Sequence, residues 1–249
     1  MPSNIVKIIE NTAIAPSIYK MTVPFTGEET PKAGQFFMLK DLSSATLLPR
    51  PISVCDWADG ILTFLYQAVG RGTNELARMQ PGAELLLTGP LGNGFPIAEL
   101  QGKIALVSGG IGTAPMVLTA QKLKEAGCTV DCFCGFRSQP FLTDELAART
   151  DSVHIATEDG SVGTRGFVTA ILNPRDYAAV LCCGPEPMMK AVTNLCKTAG
   201  TPVYVSLENK MACGVGGCLV CTCTDNNGKN LRTCKEGPVF RGEEINFDA

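Results

Sequence analysis

Short apolar runs broken by turn residues occupy the first hundred residues of the chain. Strand-type stretches fall at residues 5–9, 18–23, 35–39, 61–66 and 84–88, and Pro24, Gly34, Gly60, Pro81-Gly82 and Gly89-Pro90 punctuate them. This pattern predicts a small antiparallel β-barrel, with strand number and order left open. From Lys103 the rhythm changes to apolar strand, glycine turn, helix. Residues 104–107 are followed by Gly109-Gly110-Ile111-Gly112, then a helix over 114–126 that Gly127 can terminate. Further strands are predicted at 129–134, 153–157, 179–183 and 203–206, with helical stretches at 166–172 and 188–199. Strands alternating with helices predict a parallel sheet covered on both faces, the architecture of an α/β nucleotide-binding domain.

After Leu207 the chain turns rich in cysteine and glycine and has few long apolar runs, so it can build little core unaided. A bound metal centre would supply the missing crosslinks. The organisation expected is therefore a barrel over 1–100, an α/β unit over 101–207 and a small metal-stabilised unit over 208–249. A length of 249 residues with 45% hydrophobic content supports more than one core.

Charge and termini narrow the function classes. The net charge of -3, without a Lys/Arg run, gives no basic field for a polyphosphate backbone, so nucleic acid is not an expected partner. Met1-Pro2-Ser3-Asn4 has no basic stretch leading into an apolar one, and no segment has the apolar length of a membrane span. A soluble cytoplasmic protein is expected. Twelve cysteines in such a compartment point to metal binding rather than disulfides.

Cys213, Cys218 and Cys221 follow C-x4-C-x2-C spacing, and twelve residues separate Cys221 from Cys234. That is the plant-type ferredoxin arrangement for a [2Fe-2S] cluster. Gly214, Gly216 and Gly217 let the backbone wrap closely around inorganic sulfide and aim N–H groups at it. A four-cysteine zinc site is the competing reading, but zinc sites favour two separated C-x2-C knuckles and only Cys218 and Cys221 form one. Cys223 lies two residues past Cys221, and spacing leaves it out of the ligand set. Cys55, Cys128, Cys132, Cys134, Cys182 and Cys196 fall on or beside apolar segments and read as small buried hydrophobes.

Two further motifs concern nucleotides. Gly110-Ile111-Gly112-Thr113-Ala114-Pro115 follows a strand and opens a helix, where glycines permit a pyrophosphate to approach the helix N-terminus and proline suits the first turn. A tight strand-to-helix turn without ligand is the alternative. In the barrel half, Arg50-Pro51-Ile52-Ser53 offers a guanidinium for a diphosphate and a hydroxyl for a flavin ring nitrogen, and Gly70-Arg71-Gly72-Thr73 precedes a short helical stretch at 74–79. As isolated tetrapeptides these are equally a surface arginine and a glycine turn.

The order of the pieces is more informative: R-P-I-S, G-x-G-T, G-G-I-G-T-A-P, Cys182-Cys183-Gly184-Pro185, then the cysteine cluster. This series resembles the ferredoxin-NADP reductase superfamily. Within it, Glu208 to Cys218 (E-N-K-M-A-C-G-V-G-G-C) and the ending Cys234-Lys235-Glu236-Gly237-Pro238-Val239-Phe240 resemble the electron-transfer subunits of class 1B dihydroorotate dehydrogenases.

The resemblance implies FAD held by Arg50, Pro51, Ile52 and Ser53, by Leu65, Tyr66 and Gln67, and by Gly72 and Thr73. Many members of the superfamily carry an aromatic residue where Ile52 stands. It implies a nicotinamide dinucleotide (NAD, as NADH) at Gly109, Gly110, Gly112 and Thr113, with Cys183 near the nicotinamide. Cys213, Cys218, Cys221 and Cys234 match the family's cluster ligands, and Cys223 a recurrent non-ligand neighbour. Electrons would pass from NADH through FAD and the [2Fe-2S] cluster to the FMN of a separate catalytic subunit, in a heterotetramer of two of each, supporting oxidation of dihydroorotate to orotate in pyrimidine synthesis. No catalytic acid or base is expected on this chain, and its only histidine, His154, reads as structural. Arg137 lies where the adenosine end would approach and can favour a 2'-phosphate, with no acidic residue in clear fingerprint position. Two alternatives stay open: a related subunit of a hydrogenase or transhydrogenase, and a zinc-stabilised binding module without redox activity.

Overall fold

A computed structural model describes residues 3–27, 29–43 and 46–249, so Met1, Pro2, Glu28, Ser44 and Ala45 of the expected barrel unit lie outside the described residues. The first sheet is antiparallel and has seven strands. These are β1 (Ser3–Lys7), β2 (Glu10–Ala15), β3 (Ile18–Pro24), β4 (Phe36–Asp41), β5 (Arg50–Ala58), β6 (Ile61–Gln67) and β7 (Glu84–Leu91), ordered β1-β7-β4-β5-β6-β3-β2. Its two edges, β1 and β2, are consecutive in the chain. The run continues through Ile8, whose N–H bonds Ala83, and Ile9, whose N–H bonds Thr22, so one bent strand closes the barrel. The helix α1 (Arg71–Arg78) lies between β6 and β7.

The sequence pattern missed two of these strands. Pro51 and the polar Ser53 and Asp56 break the apolar rhythm of β5, and β2 is largely exposed, so neither carries a core-facing alternation. In β4, by contrast, both faces are covered. Phe37 and Leu39 enter the barrel core, whereas Phe36 and Met38 face a separate apolar cluster outside it.

The second sheet is parallel apart from its last strand. It contains β8 (Lys103–Gly109), β9 (Thr129–Phe136), β10 (Ser152–Thr157), β11 (Thr164–Arg165), β12 (Ala179–Cys183), β13 (Val203–Ser206) and the antiparallel β16 (Val239–Arg241). The order β11-β10-β9-β8-β12-β13-β16 reverses direction between β8 and β12, which creates a crevice at their carboxyl ends. Helices α2 (Ala114–Glu125), α3 (Thr143–Ala147) and α4 (Glu186–Ala199) accompany it. The helix expected over 166–172 is only a 3-10 turn, Val168–Ala170. Gly166 has φ +119 and Pro174 follows closely, and neither suits an α-helix that would also hold the β-branched Val168, Thr169 and Ile171.

One apolar core joins the barrel to this sheet: Ile18, Cys55 and Leu65 pack with Met116, Val117 and Ala120 of α2. The Asp56–Arg149 ion pair (2.8 Å) lies across the same boundary. The cysteine-rich segment is an insertion between β13 and β16, carrying the hairpin β14 (Thr222–Thr224) and β15 (Asn230–Arg232). Among the described residues no helix is long and apolar enough to cross a membrane.

Candidate functional site

The cysteine loop is seated on the outside of the barrel. Cys221 and Cys234 are buried in one apolar cluster with Phe36, Met38 and Leu91. A Cβ on Gly214 would stand 2.8 Å from the Met38 side chain, and Gly214 also has φ +71, so this position is closed to other residues. The sequence signal for this seat was the unbroken apolar run at 36–39, which is what a strand covered on both faces looks like.

The four expected thiols are neighbours: Cys218 acts on Cys213, and Cys221, with a smaller effect from Cys213, acts on Cys234. Backbone N–H groups point at them, Val215 to Cys213 Sγ (3.4 Å) and Gly216 to Cys234 Sγ (3.1 Å). The Val215 N–H holds the Cys213 thiol down to about 6, while burial and the neighbouring Cys221 push Cys234 up to about 12. A metal bound there ligates both as thiolates. Two irons bridged by sulfide take two thiolates each, whereas zinc takes four at one point, and the paired arrangement fits the former. Among the described residues no three Cys, His, Asp or Glu side chains gather at single-ion spacing.

Arg232, which the sequence did not single out, steadies the loop. Its Nη1 donates to Gly216 O (3.1 Å), and its Nε and N–H both donate to Glu236 Oε2. Cys223 stands apart from the four thiols. It lies on β14 and packs with the apolar cluster of Phe240 and Ile245.

In the barrel, Arg50 and Gly72 come together. A Cβ at Gly72 would fall 2.1 Å from Arg50 Nε, so only glycine lets the guanidinium lie against the first turn of α1. That turn carries no acidic residue, and its backbone N–H groups with Arg50 suit a diphosphate. The Thr73 hydroxyl is already engaged, accepting the N–H groups of Val69 and Gly70 at 3.1 Å each. Pro51 and Ser53 lie beside β4, opposite Met38 and Phe36, and Ile52 packs against the barrel core.

The side chains of Leu65 and Tyr66 are buried, so they can meet a cofactor only through their backbone, whereas Gln67 is exposed. Tyr66 donates its hydroxyl to Asn11 Oδ1 (2.8 Å), and Asn11 Nδ2 donates to the carbonyls of Leu76 and Met79 (2.9 Å each) at the end of α1. Asn11 thus fixes the helix that faces Arg50. It lies on the strand that the sequence pattern missed.

At the crevice between β8 and β12 the four expected residues divide. A Cβ at Gly112 would meet Cys183 O at 2.4 Å, so this glycine lets the two strand ends touch, and one at Gly109 would meet Met188 Sδ at 2.7 Å, so that glycine lets the start of α4 approach. Thr113 is buried, with its hydroxyl 3.0 Å from Ser108 Oγ. Gly110 alone faces open space, with φ +53, and it offers backbone to a ligand. Cys183 is fully buried, and burial, reinforced by Glu208, pushes its thiol up. His154 stacks on Phe133 at 4.7 Å, away from the crevice.

Barrel, switch-point crevice and thiol pairs together define a reductase of the ferredoxin-NADP reductase type that carries an iron-sulfur segment. Residues 208–246 match the iron-sulfur cluster binding domain of dihydroorotate dehydrogenase B. The "Dihydroorotate dehydrogenase B (NAD(+)), electron transfer subunit" of Clostridium perfringens is 49% identical over 243 residues, 97% of each chain. That of Clostridium acetobutylicum is 45% identical over 239 residues, 96% of this chain and 95% of the other. Among solved structures, the NADH-dependent reduced ferredoxin-NADP oxidoreductase superposes with a TM-score of 0.87 at 28% identity, covering 98% of this chain and 90% of the other. A ferredoxin NADP+ reductase from Neisseria gonorrhoeae has a TM-score of 0.66 at 20% identity, over 84% of this chain and 94% of that one, which shows the shared fold. The chain belongs to the family of electron transfer subunits of dihydroorotate dehydrogenase B (NAD+).

Proposed function

We propose that this chain takes electrons from NADH through FAD and a [2Fe-2S] cluster and delivers them to the FMN of a catalytic dihydroorotate dehydrogenase subunit, in a cytoplasmic heterotetramer of two of each. The single observation that carries the relay is the placement of Met38. It packs with Cys221 and Cys234 on one side and pairs with Pro51 of the Arg50–Ser53 motif across the β4–β5 ladder. The cluster cradle and the flavin motif are therefore one strand apart, about 5 Å in backbone spacing.

When bound, the flavin accepts hydride from the nicotinamide and releases its electrons singly to the cluster. The chain's own residues bind and orient. Arg50, with the first turn of α1 behind Gly72, would hold the FAD diphosphate, the backbone at 65–67 and Ser53 would line the ring, and Gly110 would meet the dinucleotide pyrophosphate. Cys213 with Cys218 and Cys221 with Cys234 would hold one iron each. Cys218 is exposed, and Val215, Leu219 and Val220 around it are exposed apolar side chains, which suits an exit covered by the partner subunit. All twelve cysteines are free, in keeping with a reducing compartment.

The test is one anaerobic visible spectrum of the purified chain with iron, sulfide and zinc analysis, followed by reconstitution with the catalytic subunit and an orotate readout. Flavin and [2Fe-2S] absorbance with NADH-linked orotate turnover is the expected result. A colourless, zinc-loaded protein would overturn the proposal. The likeness to the NADH-dependent reduced ferredoxin-NADP oxidoreductase favours a second reading, a transhydrogenase subunit. A co-purifying partner without FMN or orotate-forming activity would select it.

A further inference from the structure

Charge and hydrogen bonding around the thiols converge on one side chain. Arg232 ends β15 opposite Thr222, the residue after Cys221, and precedes Cys234 by two positions. Its own carbonyl accepts the N–H groups of Lys235 (3.0 Å) and Glu236 (2.9 Å), which turns the chain tightly around Cys234. Its side chain crosses to the loop between Cys213 and Cys218, where Nη1 donates to Gly216 O (3.1 Å). Gly216 has φ +80, and a Cβ there would lie 2.8 Å from Lys235 Cδ and 3.4 Å from Arg232 Nη1, so glycine lets this peptide close on the guanidinium.

The contact falls on backbone that serves the thiols. Gly216 O shares its peptide unit with the Gly217 N–H, one of the backbone donors to Cys213 after Val215, and the Gly216 N–H on the preceding unit donates to Cys234 Sγ (3.1 Å). A hydrogen bond on the carbonyl fixes the plane of that unit and polarises it, which strengthens the N–H at its other end. The guanidinium also lies within electrostatic reach of Cys234 and Cys221. Glu236 offsets its charge: Oε2 accepts the Arg232 N–H (2.7 Å) and Nε (2.9 Å), Oε1 accepts Nη2, and the two side chains are 29% and 32% exposed.

We infer that Arg232 is a positioning residue that sets the reduction potential of the cluster. A [2Fe-2S] centre on four thiolates is already anionic with both irons ferric, and it gains one more negative charge when it takes a single electron from the reduced flavin, with no bond made or broken. Donors fixed toward its sulfurs and a cation beside it favour the reduced form, so both raise the potential. Arg232 supplies the cation and, through Gly216 O, holds the donors. Glu236 fixes the side chain and limits the rise by its opposite charge. The pair thereby sets how completely the cluster draws electrons from the flavin before they leave for the partner subunit.

This inference rests on the [2Fe-2S] centre proposed above. The test is a redox titration of the full chain, loaded with flavin and cluster, followed by the electron paramagnetic resonance signal of the reduced cluster. Arg232→Gln should lower the potential, disfavouring reduction about tenfold, or about 59 mV for one electron. Arg232→Lys, which keeps the charge but not the fork, should fall between that variant and wild type. Glu236→Gln, which keeps an acceptor for the Arg232 N–H but loses the charge, should shift the potential upward. Lys229→Gln, which removes an exposed charge just before β15, should leave it unchanged. A side chain that merely braced the loop would cost cluster content without these opposite shifts. Arg232→Gln and Glu236→Gln both within about twofold of the wild-type equilibrium, or Lys229→Gln shifting as far as Arg232→Gln, would overturn the inference. If Arg232→Gln takes up no cluster, Arg232→Lys and Glu236→Gln decide by the same criterion. A wild-type chain without the reduced-cluster signal would instead overturn the iron-sulfur reading itself.

Discussion

Replacing Gly112 and Gly110 separately with alanine separates two reasons for a glycine-rich strand-to-helix turn. At Gly112 the new Cβ would lie 2.4 Å from Cys183 O, 2.6 Å from its carbonyl carbon and 2.7 Å from Gly184 Cα. All three are backbone atoms of the neighbouring turn, and Cys183 is in the β12 ladder opposite Ser108 of β8. The clash can be relieved only by parting the ends of two paired strands. Overpacking of this kind costs about 1–3 kcal/mol, which in a chain of this size lowers Tm by roughly 2–12 °C. At Gly110 nothing lies within 4 Å, and the cost is the φ of +53, about 1 kcal/mol for a left-handed alanine. The methyl group there stands where the backbone is open to a dinucleotide. Thermal unfolding of the flavin-loaded chain and titration with ADP-ribose are the two measurements. Gly112→Ala should lose stability first, and Gly110→Ala should lose affinity with a Tm within a few degrees of wild type. Gly112→Ala unfolding at the wild-type temperature, or Gly110→Ala binding with unchanged affinity, would refute the division.

Cys221→Ser should abolish the iron-sulfur absorbance, whereas Cys223→Ser should retain it and the iron content, because Cys223 packs with Phe240 rather than with the thiol pairs. Tyr66→Phe should cost about 1–2 kcal/mol in urea unfolding, since it leaves Asn11 Oδ1 without its donor next to the α1 carbonyls; an unchanged midpoint would argue against Asn11 as the anchor. Asp131 is buried, which raises its pKa, but hydrogen bonds from Lys103, Ser152 and Tyr177 outweigh this and hold it below the usual range. A depressed folded pKa contributes stability above the unfolded value of 3.8, lost as pH falls through the folded value. Asp131→Asn should therefore lower stability at neutral pH by about 1 kcal/mol and flatten its decline below about pH 4, as read by unfolding at stepped pH.

Much of the site was legible because its chemistry is local. Cys213, Cys218, Cys221 and Cys234 stand out as the proposed ligands by spacing, since a cluster a few ångströms across must draw its ligands from a tight loop and one nearby return. The turn at Gly109–Pro115 was legible because a strand, a glycine step and a helix with proline in its first turn are consecutive. The chain by itself thus determined the iron-sulfur segment, the parallel nucleotide-binding half and the β-rich character of the rest. What it did not determine depends on contacts between distant residues. Strand β5 was hidden by Pro51 and Asp56, and β2 by exposure on the barrel surface. Closure of the barrel came from the bend at Ile8 and Ile9, and the seat of the thiols came from the outward face of Phe36 and Met38. Spacing already left Cys223 out of the ligand set; the hairpin that packs it with Phe240 is what the fold adds. Such decisions belong to tertiary structure because register and facing set which side chains meet, and no local propensity encodes them.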